Sequence, residues 1–345
     1  MTNAGDELHG MSALLEIRGL TARLPVEGEP RTVLHDVSLT IAAGEALGLV
    51  GESGAGKSMT ALAIGRLLPR GAQTHGSVLF DGRDVLGLGG SDLRGYREEV
   101  AMVFQDPRAH VNPVRRIGDF MTETLRLKGV TRAEAAARAV QALRDVGVDD
   151  GERRLAQYPH ELSGGLLQRV MIATMLLGRP RLVLADEPTT ALDVTTQAEV
   201  MAILDELRRE RGLALLFITH DLDLAAAVCD RTAVMYAGQI VETNAADLLD
   251  RDPLHPYTAA LAGARPDIAA STYRLAAIPG RPVSAFEAPS GCAFAPRCAL
   301  AQDACRAARP PLESLDGGEV RCRRAREMRG RLPATIRGES EVSRA

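Results

Sequence analysis

Gly51-Glu52-Ser53-Gly54-Ala55-Gly56-Lys57-Ser58 has the spacing G-x-x-x-x-G-K-[ST]. Such a loop wraps a polyphosphate in backbone N–H groups, which calls for glycine where the chain turns with positive φ or closely approaches the anion. A helix following it would present its first-turn N–H groups and positive dipole end to the same phosphates. Lys57 would bridge the β- and γ-phosphates, the Ser58 hydroxyl would ligate Mg²⁺, and the binding segment extends to Met59. A second chemical signal is Leu182-Val-Leu-Ala-Asp186-Glu187, an apolar run ending in two acids. A strand that carries Asp186 to the carboxyl edge of a sheet lets it hold Mg²⁺ through water, with Glu187 available to orient or deprotonate a water. No N-K-x-D-like guanine-reading motif accompanies these residues, which favours ATP over GTP.

Elements of the right kind flank both motifs. Residues 14–20, 33–41 and 46–50 are short apolar or alternating runs that read as strands, as do 77–80, 100–104, 182–185, 213–218 and 232–236. The stretch 57–68 ends at Pro69 and reads as a helix, and 195–211 as a charged amphipathic helix. Between about 113 and 178 the texture is helical, with Thr131 and Glu134 forming a capping box before an Ala-rich stretch to Val146. Strand–helix–strand alternation with a helical insertion predicts a parallel α/β sheet. Between about residues 250 and 330 nine prolines interrupt regular structure, and a separate, loop-rich region is expected.

The 345 residues carry a formal net charge of −4, so there is no global basic field for nucleic acid. Apolar runs fall far short of the about 20 residues a bilayer span requires. Residues 1–10 lack the apolar stretch of a secretory signal, so a soluble, cytoplasmic protein is expected.

His160-Glu-Leu-Ser163-Gly164-Gly165-Leu166-Leu167-Gln168-Arg169 stands about twenty residues before the acidic strand. Together with the phosphate loop and Asp186-Glu187 it resembles the signature sequence of ATP-binding-cassette (ABC) ATPases. Gln105, in Val103-Phe-Gln-Asp-Pro107, is similar to the Q-loop glutamine that senses Mg²⁺ and the membrane partner. Ala191-Leu-Asp193 resembles the D-loop, and His220, in Ile218-Thr-His-Asp221, the switch histidine. The resemblance implies a cassette with a mainly parallel core sheet, an antiparallel β subdomain and an α-helical subdomain over residues 13–250. It also implies head-to-tail dimers in which Ser163, Gly164, Gly165 and Leu166 face the γ-phosphate held by the other subunit. Glu187 would polarise the attacking water, His220 and Lys57 would contact the γ-phosphate, and Ser58, Gln105 and Asp186 would surround Mg²⁺. Two departures stand out: apolar Leu166 and Leu167 within the signature, and no aromatic in Leu20-Thr-Ala-Arg-Leu24, where the family stacks adenine.

The double Thr after Asp186-Glu-Pro, the His255-Pro-Tyr-Thr258 run and Gly291-Cys-Ala-Phe-Ala-Pro-Arg-Cys298 resemble the dipeptide/oligopeptide importer branch. That branch implies an extension over 251–330, two transmembrane permease subunits, a second related ATPase as heterodimer partner, and an external peptide-binding protein acting indirectly. It also implies a peripheral position on the cytoplasmic face of the bacterial membrane. Residues 1–12 and 331–345 are expected to be tails.

Cys292, Cys298, Cys305 and Cys322 are spaced C-x₅-C-x₆-C-x₁₆-C, without the close pair typical of structural zinc or the two-residue gaps of bacterial ferredoxins. The importer resemblance implies a [4Fe–4S] cluster there; zinc, or thiols without metal, remain open. Cys229, in an apolar stretch, reads as an inert core thiol. A different class of function also stays open: a soluble ABC ATPase acting on nucleic acid or ribosomes, with a metal-binding appendage.

Overall fold

Alternating and continuous apolar runs form the strands expected of them, in two units. The computed structural model describes residues 13–188, 194–264 and 278–332. The first unit comprises the described parts of 1–41, 46–86 and 219–345, and the second 42–45 and 87–218. Asp193, residues 1–12 and most of the C-terminal tail lie outside the described residues.

In the first unit, β1 (Ala13–Val26) and β2 (Glu29–Ala42) are joined by Glu27 and Gly28, whose φ values of 53° and 88° suit a two-residue hairpin turn. With β4 (Gln73–Phe80) and β5 (Arg83–Asp84) they make a sheet in the order β2-β1-β4-β5. Both strands outrun their apolar cores, because the hairpin end is exposed and carries no hydrophobic alternation. The buried strand β3 (Ala46–Val50) runs parallel to β9 (Arg231–Tyr236), which pairs antiparallel with β10 (Gln239–Ala245).

Two three-residue strands of the extension, β11 (Glu313–Leu315) and β12 (Gly318–Val320), continue this sheet from β10. The Pro-rich segment therefore does not stand apart. Its residues Ala293 and Phe294 share a core with Val50, Val234, Tyr236 and Tyr257. Buried Arg321 ties the extension to the older strands, donating to the carbonyls of Ile240, Pro310 and Asp36 and to the Asp36 carboxylate.

The second unit holds parallel strands β6 (Val100–Val103), β7 (Leu182–Asp186) and β8 (Ala214–Thr219). β7 is buried along its whole length, as a strand flanked on both sides in a parallel sheet must be. Helices Ile117–Leu127, Arg132–Asp145 and Gly151–Ala156 pack on one another, and Gly164–Leu176 packs on the first two of them and on β6. Thr131 caps Arg132–Asp145 by accepting the Glu134 N–H, as the spacing predicts. Among the described residues no helix is long and apolar enough to cross a membrane.

Candidate functional site

β3, five buried apolar or small residues, delivers the chain to Gly51, and the helix Lys57–Ile64 opens behind Gly56. Gly51, Gly54 and Gly56 have φ values of 155°, 77° and 105°. At Gly51 a Cβ would lie 2.1 Å from the Met235 carbonyl oxygen, so the loop passes against β9 with room for glycine alone. The Lys57 side chain folds back inside the loop, its Nζ donating to the carbonyls of Gly51 (2.8 Å) and Glu52 (3.2 Å). Lys57 is 6% exposed, whereas Ser53, Gly54 and Ser58 are exposed and Glu52 and Met59 half-buried. Gly238 N–H donates to the Ala55 carbonyl at 2.7 Å, pinning the far side of the loop to the β9–β10 turn. The cradle is thus preformed, with its open side toward solvent.

In the second unit, Asp186 ends β7 at 8% exposure. Glu187 follows with φ 45°, a left-handed kink stabilised by its N–H donating to the Ile218 carbonyl at 3.0 Å. The kink sets the Glu187 carboxylate on Gln105, whose Nε2 donates to Oε2 at 2.9 Å. The structure therefore joins two residues that the sequence singled out separately. Buried Asp186 and half-buried Glu187 supply hard carboxylate oxygens, the donor type Mg²⁺ takes.

Ser163 is the exposed N-cap of Gly164–Leu176, its Oγ accepting the Leu166 N–H at 3.3 Å. Leu167 is fully buried, which explains an apolar residue there; Leu166 is half-buried. Leu20 and Ala22 are likewise buried inside β1, leaving exposed Arg23 and half-buried Thr21 and Leu24 as the accessible side chains of that stretch. His220 is exposed in the first unit. Its backbone is flanked by Thr219, whose Oγ1 accepts the Asp221 N–H, and by Asp221, which caps the helix Leu222–Val228.

Cys292, Cys298, Cys305 and Cys322 line one cavity together with His255 and Phe294. Burial raises the Cys322 thiol to about 11, with the three neighbouring thiols adding to the shift. Burial also raises Cys292 and Cys298. Among the described residues no three Cys, His, Asp or Glu side chains are gathered tightly enough to hold one metal ion. His255 is fully buried and neutral, pushed down to about 3 by desolvation. Its Nδ1 accepts the Tyr257 N–H at 3.0 Å, which leaves the ring proton on Nε2. Cys229 is buried at the C-terminal end of the helix Leu222–Val228, as expected of a core thiol.

Sequence reasoning missed the link from this extension to the phosphate loop. Arg297, next to Cys298, pairs with Glu52 at 2.6 Å, and the Tyr257 hydroxyl accepts the Glu52 N–H at 3.0 Å. Their only signal was position: both sit inside motifs quoted for the importer branch, at the Arg of Pro-Arg-Cys and the Tyr of His-Pro-Tyr.

A phosphate loop on a buried strand, paired carboxylates at the end of a parallel strand and a Ser-Gly-Gly-capped helix together define an ATP-binding cassette. The profile of the family described as "ABC transporter" matches residues 34–190, and that described as "Oligopeptide/dipeptide transporter, C-terminal region" matches residues 241–305. The oligopeptide transport ATP-binding protein OppD of Haemophilus influenzae is 42% identical over 313 residues, covering 90% of this chain and 97% of that protein. OppD of Salmonella typhimurium is 44% identical over 312 residues, covering 90% of this chain and 93% of that protein. The dimeric, post-hydrolysis cassette MJ0796 bound to ADP and Pi superposes with a TM-score of 0.61 at 28% identity, covering 67% of this chain and 98% of that one. The chain belongs to the ATP-binding proteins of ABC transporters, in the oligopeptide/dipeptide branch.

Proposed function

We propose that this chain is the ATP-hydrolysing motor subunit of a bacterial peptide importer, working on a separate membrane permease from its cytoplasmic face. The observation that carries the reading is the phosphate loop and the Gln105–Glu187 pair on a chain that matches oligopeptide transport ATP-binding proteins over 90% of its length. That match favours the motor over a soluble ATPase acting on nucleic acid or ribosomes.

In this reading the loop residues Gly51–Met59 hold the β- and γ-phosphates, with Lys57 released from the Gly51 and Glu52 carbonyls to the nucleotide. Ser58, Asp186 and Gln105 would hold Mg²⁺, which would neutralise phosphate charge when bound. Glu187 orients and polarises the attacking water, and Gln105 keeps its carboxylate in place. His220 contacts the γ-phosphate, Asp193 contributes the D-loop, and Ser163, Gly164, Gly165 and Leu166 close on the nucleotide of the facing subunit. The facing subunit is a related second ATPase, the permease supplies two transmembrane subunits, and the peptide-binding protein acts from outside. Residues 13–250 form the cassette, with the helical subdomain over about 113–178, and 251–330 the extension.

Cys292, Cys298, Cys305 and Cys322 are the residues that would hold a [4Fe–4S] cluster, which would cross-link the extension, with zinc as the alternative. The support is that all four thiols line one cavity. Such a centre supplies folding free energy to a segment with little core of its own.

The test of the motor reading is co-purification of the chain with permease subunits, followed by measurement of ATPase activity with and without peptide-loaded binding protein. Stimulation by the loaded protein supports it; recovery of an active ATPase bound to RNA or ribosomes supports the alternative. Anaerobic purification with iron, sulfide and zinc quantification tests the metal, and about four irons and four sulfides per chain is the expected result.

A further inference from the structure

The phosphate loop carries an acid where it must bind a polyanion. Glu52 lies directly after Gly51, and its carboxylate would repel the nucleotide phosphates if it stood alone. It does not stand alone. The Arg297 guanidinium approaches it as a two-pronged fork, Nη1 to Oε2 at 2.6 Å and Nη2 to Oε1 at 3.2 Å. Such paired charge-assisted bonds are both strong and directional.

The Arg297 side chain is 3% exposed and Glu52's 23%, so the pair is poorly screened by solvent. Every other donor of the guanidinium is also engaged. Nε donates to the Pro279 carbonyl at 2.9 Å, Nη2 to the Ile278 carbonyl at 3.3 Å, and Nη1 to the Tyr236 hydroxyl at 3.3 Å. The same residue of the loop is held through its backbone, because the buried Tyr257 hydroxyl accepts the Glu52 N–H. A third point of contact is Ala285, whose N–H donates to the Gly54 carbonyl at 3.4 Å while its carbonyl meets His35 Nε2 at 2.8 Å. Glu52 is therefore fixed at both ends by residues more than 200 positions away.

We propose that Arg297 is a positioning residue for nucleotide binding: it neutralises Glu52 and, with Tyr257, holds the phosphate loop open to an anionic ligand. The cysteine-bearing extension thereby acts on the ATP site itself, whatever metal its cavity holds. The inference rests on the phosphate-loop reading and not on the cluster.

The test is the affinity of the full-length chain for Mg-ATP, Mg-ADP and adenosine, alongside thermal unfolding, for the wild type and three variants. Arg297→Gln leaves Glu52 unpaired and lowers Mg-ATP affinity about tenfold or more, Mg-ADP less, and adenosine within about twofold. Arg297→Lys keeps the charge without the fork and falls between. The double variant Arg297→Gln/Glu52→Gln removes both charges and regains most of the lost Mg-ATP affinity.

A merely structural role for Arg297 predicts no such rescue and an equal loss for adenosine; either result overturns the proposal, as does unchanged Mg-ATP affinity in Arg297→Gln. If Arg297→Gln does not fold, Glu52→Gln alone decides. It leaves the Arg297 cation beside the loop and raises Mg-ATP affinity about threefold, and an unchanged or lowered affinity refutes the charge argument. Failure of the wild type to bind Mg-ATP would instead sink the phosphate-loop reading.

Discussion

Gly51→Ala adds one methyl group to the phosphate loop, and the structure specifies what it meets. The new Cβ would lie 2.1 Å from the Met235 carbonyl oxygen and 3.2 Å from its carbon. Met235 is the next-to-last residue of β9, which lies between β3 and β10, and it and its neighbours Val234 and Tyr236 are buried, so the obstacle is backbone that cannot swing aside. Relief requires the loop to move by about 1 Å, an overpacking distortion of about 1–3 kcal/mol. The φ of 155° adds a backbone penalty of the same order, about 1–3 kcal/mol for a non-glycine residue.

Much of this cost is avoided if the loop leaves its cradle geometry, so it appears as lost nucleotide affinity, about a hundredfold or more, along with any loss of stability. Gly54→Ala is the control. Gly54 has φ 77° but no atom within 4 Å of its Cβ position, so only the left-handed penalty of about 1–2 kcal/mol applies. Equilibrium binding of a fluorescent ATP analogue, with urea unfolding of each variant, provides the comparison. Binding by Gly51→Ala within threefold of wild type, or a larger loss in Gly54→Ala, would show that the Met235 carbonyl does not restrict the loop.

Two further outcomes are expected. Buried Glu242 accepts the N–H groups of Leu254 and His255, and burial, opposed by these bonds and by Thr258, raises it to about 7 from 4.5. The folded state therefore holds the extra proton, and this group's stabilisation is full below pH 4.5 and lost as pH rises through about 7. His255, lowered from 6.5 to about 3, works the other way: its contribution is full above pH 6.5 and lost as pH falls toward 3. Between pH 4.5 and 6.5 the two slopes oppose, so Glu242→Gln uncovers a stability that rises with pH by about 2 kcal/mol across that window. Urea midpoints at both ends of the window check this, and equal slopes in wild type and variant would exclude it. Cys298→Ser, nearly isosteric, lowers bound metal and makes the 278–332 segment more sensitive to limited proteolysis; a fully metal-loaded, protease-resistant variant would remove the cross-linking role.

What could be read from the chain directly was chemistry carried by contiguous residues. The phosphate loop, Asp186-Glu187, Ser163-Gly164-Gly165 and the strand β3 are local runs whose residue types state their own requirements. Contacts between distant segments left no such mark. Gln105 and Glu187 are 82 positions apart, and Glu52 and Arg297 are 245 apart. The extension looked separate because its prolines erase periodicity and its strands are three residues long, too short for an alternating pattern. Yet β12 pairs with β10, and Phe294 stacks edge-on against Tyr236 at 5.4 Å. The apolar Leu167 departs from the expected signature for a reason visible only in three dimensions, namely that the position is fully buried.

The most direct test of the motor reading is peptide uptake into vesicles containing this chain and the permease subunits, with ATP inside and loaded binding protein outside. ATP-dependent uptake is expected with the wild-type chain, and Glu187→Gln is expected to lower ATP hydrolysis by at least about a hundredfold and abolish uptake while nucleotide binding persists. Uptake that continues unchanged with Glu187→Gln, or ATP hydrolysis insensitive to that substitution, would contradict that reading.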